Sequence, residues 1–340
     1  MKLFWIFYFG FSIGRFKRNK ILVCALNAFL LVLSFPAQAQ QAKKIPRVGI
    51  LRPGSPPDLS IEGFRNGMRE LGYVEGQNVQ LEYRWVDRDE RLPDAARELV
   101  QLNVDVILAG STPATVAAKQ ATKRIPIVFG AVSDPIGVGL IASLARPGGN
   151  VTGMSLLAPE LWPKRLELLR ETIPKLSSVA MLWNRSNPGM AARARETQDA
   201  ARRMGVAVHD RGAKDSEELD NVFTIIAKDK PDALLTMLDP FTTIHLKRIV
   251  NFSTEARLPG MYEERRFVEA GGLMSYGPNV ADLYRRAAFY VDKILKGSKP
   301  ADLPVQQPMN FELFINLPTA KVLGLAIPES VIFRADKVIR

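Results

Sequence analysis

From Ile45 onward, short apolar runs rich in β-branched residues alternate with longer stretches in which apolar residues recur every three or four positions. The short runs at 47–51, 79–83, 104–108 and 125–129 predict strands. The stretches at 61–71, 92–102 and 115–122 predict helices. Strand, helix, strand at this spacing means βαβ units, a parallel sheet and right-handed crossovers. The pattern then restarts: strands at 179–183, 206–209, 233–238 and 260–262 alternate with helices at 191–204, 217–228 and 243–256. The expected class is therefore α/β, with two Rossmann-like halves in tandem. A late helix at 281–295, a strand at 311–315 and a short helix at 319–323 are too little for a domain of their own. Each must pack on a half already built, so the halves are expected to be discontinuous. The expected division is 46–155 with 271–304, and 156–270 with 305–340. The chain would then cross between the halves more than once, as a hinge requires.

The first 39 residues differ from the rest. Arg15, Lys17, Arg18 and Lys20 precede an apolar run from Ile21 to Phe35, and Ala37-Gln-Ala39 follows Pro36. A basic segment, an apolar segment and a small-residue site are the parts of an export signal. Cleavage is expected after Ala39, which would place the protein in the periplasm. The apolar run is shorter than the ~20 residues a membrane span needs. This segment also distorts the charge: of the formal net of +11, five basic residues and no acid lie within it, leaving +6 on the remainder. With no basic stripe and no interleaved aromatics, nucleic acid is not an expected partner. The lone cysteine, Cys24, lies inside the apolar run, so the exported chain has neither a disulfide nor a cysteine metal ligand.

Chemistry gathers where strands end. The strand at 104–108 runs into Ser111-Thr112-Pro113, and that at 125–129 into Ser133-Asp134-Pro135. The strand at 179–183 runs into Asn184 and then Asn187-Pro188, and that at 233–238 into Asp239-Pro240. Ser, Thr, Asn or Asp before proline is a helix start, with the cap side chain on free N–H groups and proline at the first helical position. In open parallel sheets, ligands bind beyond the carboxyl ends of the strands, where helix N-termini favour anions. A single cap of this kind is an ordinary structural device, but four split evenly between two halves suggest a shared cleft. A carboxylate suits the Ser111-Thr112 terminus, and Asp134 or Asp239 suits an ammonium group. Together they describe a zwitterion such as an amino acid. Tyr262 and Tyr276, on or after short strands, are candidates to stack on it, as are Trp85 and Trp183 at strand ends.

Enzyme chemistry finds no footing. The two histidines, His209 and His245, have no metal-ligand spacing to each other or to a carboxylate. G-x-S-x-G, a P-loop and a G-x-G-x-x-G after the first strand are all missing. No cofactor is therefore expected. The run Glu263-Glu-Arg-Arg266 reads as a solvated face.

Several segments carry a resemblance. Ile125-Pro-Ile-Val-Phe-Gly-Ala-Val-Ser-Asp-Pro135, Ser143-Leu-Ala-Arg-Pro-Gly-Gly-Asn-Val-Thr-Gly153, Gly271-Gly-Leu-Met-Ser-Tyr-Gly277, Pro300-Ala-Asp-Leu-Pro304 and Ala320-Lys-Val-Leu-Gly324 resemble the tryptophan/tyrosine-type substrate-binding family of ABC transporters. The resemblance spans nearly all of residues 46–340. It implies a type I periplasmic-binding-protein fold, with two lobes joined by three crossovers that close on a ligand. It also implies a monomer that meets a membrane permease and its ATPase. The proline-rich loop Arg52-Pro-Gly-Ser-Pro-Pro57 departs from the pattern of an aromatic-amino-acid binder and leaves the ligand open. A ligand-sensing domain of a regulator shares this fold class. It would need a DNA-binding helix pair where the chain carries its signal-like segment.

Overall fold

The computed structural model describes residues 44–156 and 161–340; the expected signal segment and its cleavage site lie outside them. Two sheets organise the chain. The first comprises β1 (Arg47–Pro53), β2 (Gln80–Val86), β3 (Val106–Ala109), β4 (Ile127–Val132) and β5 (Val151–Ser155), in the order β2-β1-β3-β4-β5. All its pairings are parallel. The second comprises β6 (Ser178–Asn184), β7 (Ala207–Ala213), β8 (Ala233–Thr236), β9 (Gly260–Tyr262), β10 (Met274–Pro278), β11 (Phe311–Asn316) and β12 (Lys337–Ile339). Its order is β12-β11-β10-β9-β8-β6-β7, and only β10 with β11 is antiparallel. The first five strands of this half repeat the topology of the first sheet: order reverses beside the opening strand, at β1/β3 and again at β6/β8.

Both faces of a parallel sheet must be covered, so its strands are apolar throughout. On the first sheet, Val48, Ile50, Val106, Leu108 and Val128 turn to one face. They pack there beneath α1 (Leu59–Glu70) and α10 (Val280–Leu295). Leu51, Ile107, Ala109 and Phe129 turn to the other, beneath α2 (Leu92–Gln101) and α3 (Thr112–Ala121). On the second sheet, α4 (Leu161–Thr172) and α5 (Met190–Arg203) cover one face. The opposite face is covered by α6 (Ser216–Asp229) and α8 (Leu246–Glu255). The expected helix at 243–256 is two helices, α7 (Pro240–Ile244) and α8, broken at His245.

The chain passes between sheets three times: between Ser155 and Ser178, between Pro278 and Val280, and between Gln306 and Phe311. Two expected boundaries move. Met274–Pro278, expected in the first half, pairs with β9 and β11 and so belongs to the second sheet. Residues 305 and 306, expected in the second, stay on the first, where Val305 N–H donates to Leu144 O (2.7 Å) and Gln306 bridges Met154. A short apolar run such as 271–278 does not reveal which sheet edge it will extend.

The late helix α10 lies on the first sheet against α1, and glycines decide how closely. A Cβ on Gly63 would sit 2.2 Å from the Ala281 carbonyl oxygen, and one on Gly67 2.3 Å from that of Arg285. The same approach carries Tyr284 beneath Gly110 and Gly130, where an added Cβ would fall within 3.0 Å of the tyrosine. Alanine stabilises an exposed helix over glycine by about 1 kcal/mol. Here it would strike a backbone carbonyl, and overpacking typically costs about 1–3 kcal/mol. Gly67→Ala should therefore lower stability in urea denaturation; an unchanged or raised midpoint would show that the two helices are not held this close.

Candidate functional site

The carboxyl ends of the two sheets meet around a cavity of about 600 Å³. Its walls come from the two reversal points. From the first half come Arg52 at the end of β1, Ser111 and Thr112 after β3, and Ser133 after β4. From the second come Asn187 after β6, Asp239 after β8 and Arg266 after β9.

Ser111 caps α3 as expected, its Oγ accepting from the Ala114 N–H at 3.3 Å. Thr112 Oγ1 accepts from the Ser133 N–H at 3.2 Å, which ties the two loops into one wall. Asp239 caps α7, accepting from the Phe241 N–H at 2.8 Å, with Thr242 completing a capping box. The other two proline signals do not start helices. Asn187 accepts from the Gly189 N–H (2.9 Å), one residue before α5. Asp134 accepts from the Gly137 N–H (2.8 Å) in a tight turn and does not line the cavity. Cap chemistry marks turns as readily as helices, so the motif alone could not separate Asp134 from Asp239.

Asp239 is 3% exposed. Asn187 Nδ2 donates to it at 2.6 Å and Asn184 Nδ2 at 2.9 Å, and it makes no ion pair among the described residues. Asn184 thus stands behind the wall and holds Asp239. Burial pushes the Asp239 carboxyl above its usual pKa, and the three hydrogen bonds draw it only partly back. Asp89, from the first half, is pushed up to about 7, by burial first and then by the charges of Asp239 and Glu90. Two carboxylates from opposite halves thus repel across this end of the cleft.

The two tyrosines do not face the cavity. Tyr262 is fully buried, stacked on Phe267 at 4.7 Å. Tyr276 lies beside Phe311 at 6.2 Å, and its carbonyl accepts from Arg165 Nε at 2.7 Å. Trp183 donates to Asp210 at 2.7 Å, and Trp85 stacks on Tyr83. In each case the strand's alternation, rather than its end, sets where the ring points.

The charged residues around the cavity carry no motif in the sequence. Arg52 donates Nε to Asp58 at 2.8 Å and Nη1 to the Gly110 carbonyl at 2.9 Å, and also reaches the Tyr284 hydroxyl. Burial works against its charge, but Tyr284 and Asp58 outweigh it and raise its pKa. The run Glu263–Arg266 is no solvated face, since Glu263 and Glu264 are 3% and 8% exposed. Glu264 takes Arg266 in a two-point pair. Glu263 takes Arg193 at 2.6 Å and Arg165 at 3.6 Å, both arginines over the Trp162 ring. One carboxylate serves two guanidinium groups, leaving one buried positive charge in excess. Arg193 Nη1 reaches Ser133 Oγ at 3.4 Å, so that excess stands directly behind the Ser133 wall. Arg193 and Arg165 are buried against an acid 70 and 98 residues further along the chain, which no local pattern marks.

The halves already touch. Leu238 of the second half joins the apolar cluster of the first, and Gly189 abuts Thr112. Among the described residues, no cluster of His, Cys, Asp and Glu could hold a metal ion, and no helix is long and apolar enough to cross a membrane.

A family model described as ABC transporter substrate binding protein matches residues 50–339. A tyrosine-binding protein of Clostridioides difficile is 29% identical over 288 residues, covering 84% of this chain and 82% of that one. The Streptococcus pneumonia ABC domain in complex with L-Trp superposes with a TM-score of 0.82 at 29% identity, covering 86% of this chain and 99% of that one. A ligand-free, open substrate binding protein of Clostridium difficile superposes at only 0.64, with 27% identity over 87% and 99% of the two chains. At nearly equal identity, this chain superposes better on the L-Trp complex than on the ligand-free, open structure.

The raised Asp89 carboxyl has a consequence with a definite sign. Between about pH 4 and 7 the folded protein holds a proton there that the unfolded chain releases. Stability from this group is therefore lost as pH rises through that window. Asp89→Asn should flatten the fall in melting temperature between pH 5 and 8 and melt above the parent at pH 8. Parallel pH profiles for the two proteins would rule out the repulsion.

Proposed function

We propose, for a chain that belongs to the ABC transporter substrate-binding family, that it captures a single amino acid in the cleft and presents it to a membrane permease driven by an ATPase. The family is one of solute-binding proteins, not of enzymes, and its members are generally exported. The observation that carries the reading is Asp239: a buried carboxylate on the cleft wall, oriented by three donors and left without a cation. An unpaired buried charge is costly unless a partner arrives. The ligand's ammonium group is that partner, and it relieves the repulsion from Asp89 as it binds.

The opposite wall suits the ligand's carboxylate. The α3 N-terminus gathers partial positive charge. Ser111, Thr112 and Ser133 supply hydroxyls, and the excess charge on Arg165 and Arg193 lies behind them. Each half thus holds one end of the same zwitterion, and binding favours the arrangement in which both ends are held. The tyrosine-binding relative and the L-Trp complex support an amino acid as the class of ligand.

The signal-like segment, with cleavage after Ala39, places the working protein in the periplasm. It acts there as a monomer without nucleic acid, residues 46–155 with 280–306 forming one lobe and 161–278 with 311–340 the other, joined through the three crossings. Asp239→Asn keeps the size of the side chain and removes the charge. A hydrogen bond to a charged group contributes about 1.5–3 kcal/mol, so affinity for the bound amino acid should fall roughly ten- to hundredfold. Calorimetric titration measures this, with circular dichroism confirming the fold. A folded variant of undiminished affinity would remove Asp239 as the ammonium anchor.

A further inference from the structure

We infer that the cleft selects an amino acid whose side chain ends in a hydrogen-bond acceptor, a carboxylate or carboxamide oxygen, and not one that ends in an aromatic ring. The inference rests on the amino-acid reading above and concerns the part of the cavity beyond Asp239. Among the described residues lining that cavity there is no aromatic side chain. The rings placed at strand ends by the sequence, Trp85, Trp183, Tyr262 and Tyr276, all point elsewhere. A bound indole or phenol would therefore find no ring to stack on.

Charged groups take that place, and they differ in how far they are committed. Arg52 is spent on Asp58, Gly110 and Tyr284. Arg248, at the rim, is spent on Asp220 and Ser216. Arg266 is not: its Nε and Nη2 both go to Glu264, which fixes the plane of the guanidinium, and among the described residues Nη1 makes no hydrogen bond. Lys247 lines the same cavity and, among the described residues, forms no ion pair or hydrogen bond. Two cationic donors from the second half are thus unspent, and one of them is held rigid by a buried pair. With Asp239 claimed by the ammonium group and the α3 wall by the α-carboxylate, these donors meet whatever the side chain ends in. An acceptor oxygen satisfies them, whereas a ring would desolvate them without recompense.

The experiment is a titration panel on the purified protein: L-glutamate, L-glutamine, L-aspartate and L-asparagine against L-tryptophan, L-tyrosine and L-leucine, with L-alanine as the ligand lacking a side-chain acceptor. The acceptor-ended ligands should bind more tightly than alanine and than the aromatic pair. Arg266→Gln should weaken them about tenfold or more. Because that change strands Glu264 and could disturb folding, Lys247→Met is the second variant. Lys247 is exposed and pairs with no described residue, so the protein should fold normally and lose about threefold in affinity for the acceptor-ended ligands and none for alanine. Tighter binding of tryptophan, tyrosine or leucine would overturn the inference and leave the amino-acid reading standing. Binding of none of the eight would overturn both.

Discussion

A parallel sheet whose strand order reverses beside its first strand must open a crevice at its carboxyl edge, because the connections on either side leave toward opposite faces. Here that constraint operates twice, at β1/β3 and at β6/β8, and the three chain crossings turn the two crevices toward each other. Arg52 and Ser111 flank the first crevice, Asn184 and Asp239 the second. The residues of the cleft are therefore not adjacent in sequence and need not be. They are the residues that happen to follow those four strands. Everything else in the fold keeps the two edges in place: the glycines that let α10 lie against α1, and Tyr284, which that packing drives under Gly110 to hold Arg52.

Within the cleft, paired and unpaired charges play different parts. Arg52 with Asp58 and Arg266 with Glu264 are buried pairs, each neutral as a unit. They fix side chains and shape the wall; they offer a ligand little net charge, although Arg266 still presents a donor through Nη1. Asp239, and the excess guanidinium charge behind Ser133, have no ion-pair partner left among the described residues, and Arg193 acts on Asp239 only from beyond ion-pair distance. Burying either costs free energy that contacts elsewhere in the fold must offset, and each becomes favourable only when a charge of opposite sign enters. That asymmetry makes the cleft complementary to a zwitterion rather than to a simple anion or cation.

Much of this was legible in the sequence. Alternating apolar runs identified both halves, and strand-end signals point to Ser111, Thr112, Ser133 and Asp239, which line the cavity, and to Asn184, which stands behind it. Legibility failed where a residue's role depends on an element distant in the chain. Asp134 and Asp239 carry the same Asp-Pro signal, yet one closes a turn and the other faces the cavity. Tyr262 and Tyr276 sit on strands whose pleat turns them into the packing, and a one-residue difference in register decides that. The run at 263–266 looks solvent-facing until Arg193 and Arg165 are brought to Glu263 from the other end of the same sheet. Met274–Pro278 joins the second sheet and not the first, because a short strand of this kind can extend either edge.

The central claim is that one ligand is gripped at both ends, its ammonium group by Asp239 of the second half and its carboxylate by the α3 wall of the first. It is tested most directly by cutting the ligand rather than the protein. Once a binding amino acid is in hand, calorimetric titration compares it with its analogue lacking the amino group and its analogue lacking the carboxylate. Each loss removes a charge-assisted contact and leaves its partner buried, so each analogue should bind at least about tenfold more weakly than the parent. An analogue lacking the amino group that bound as tightly as the parent would contradict the account.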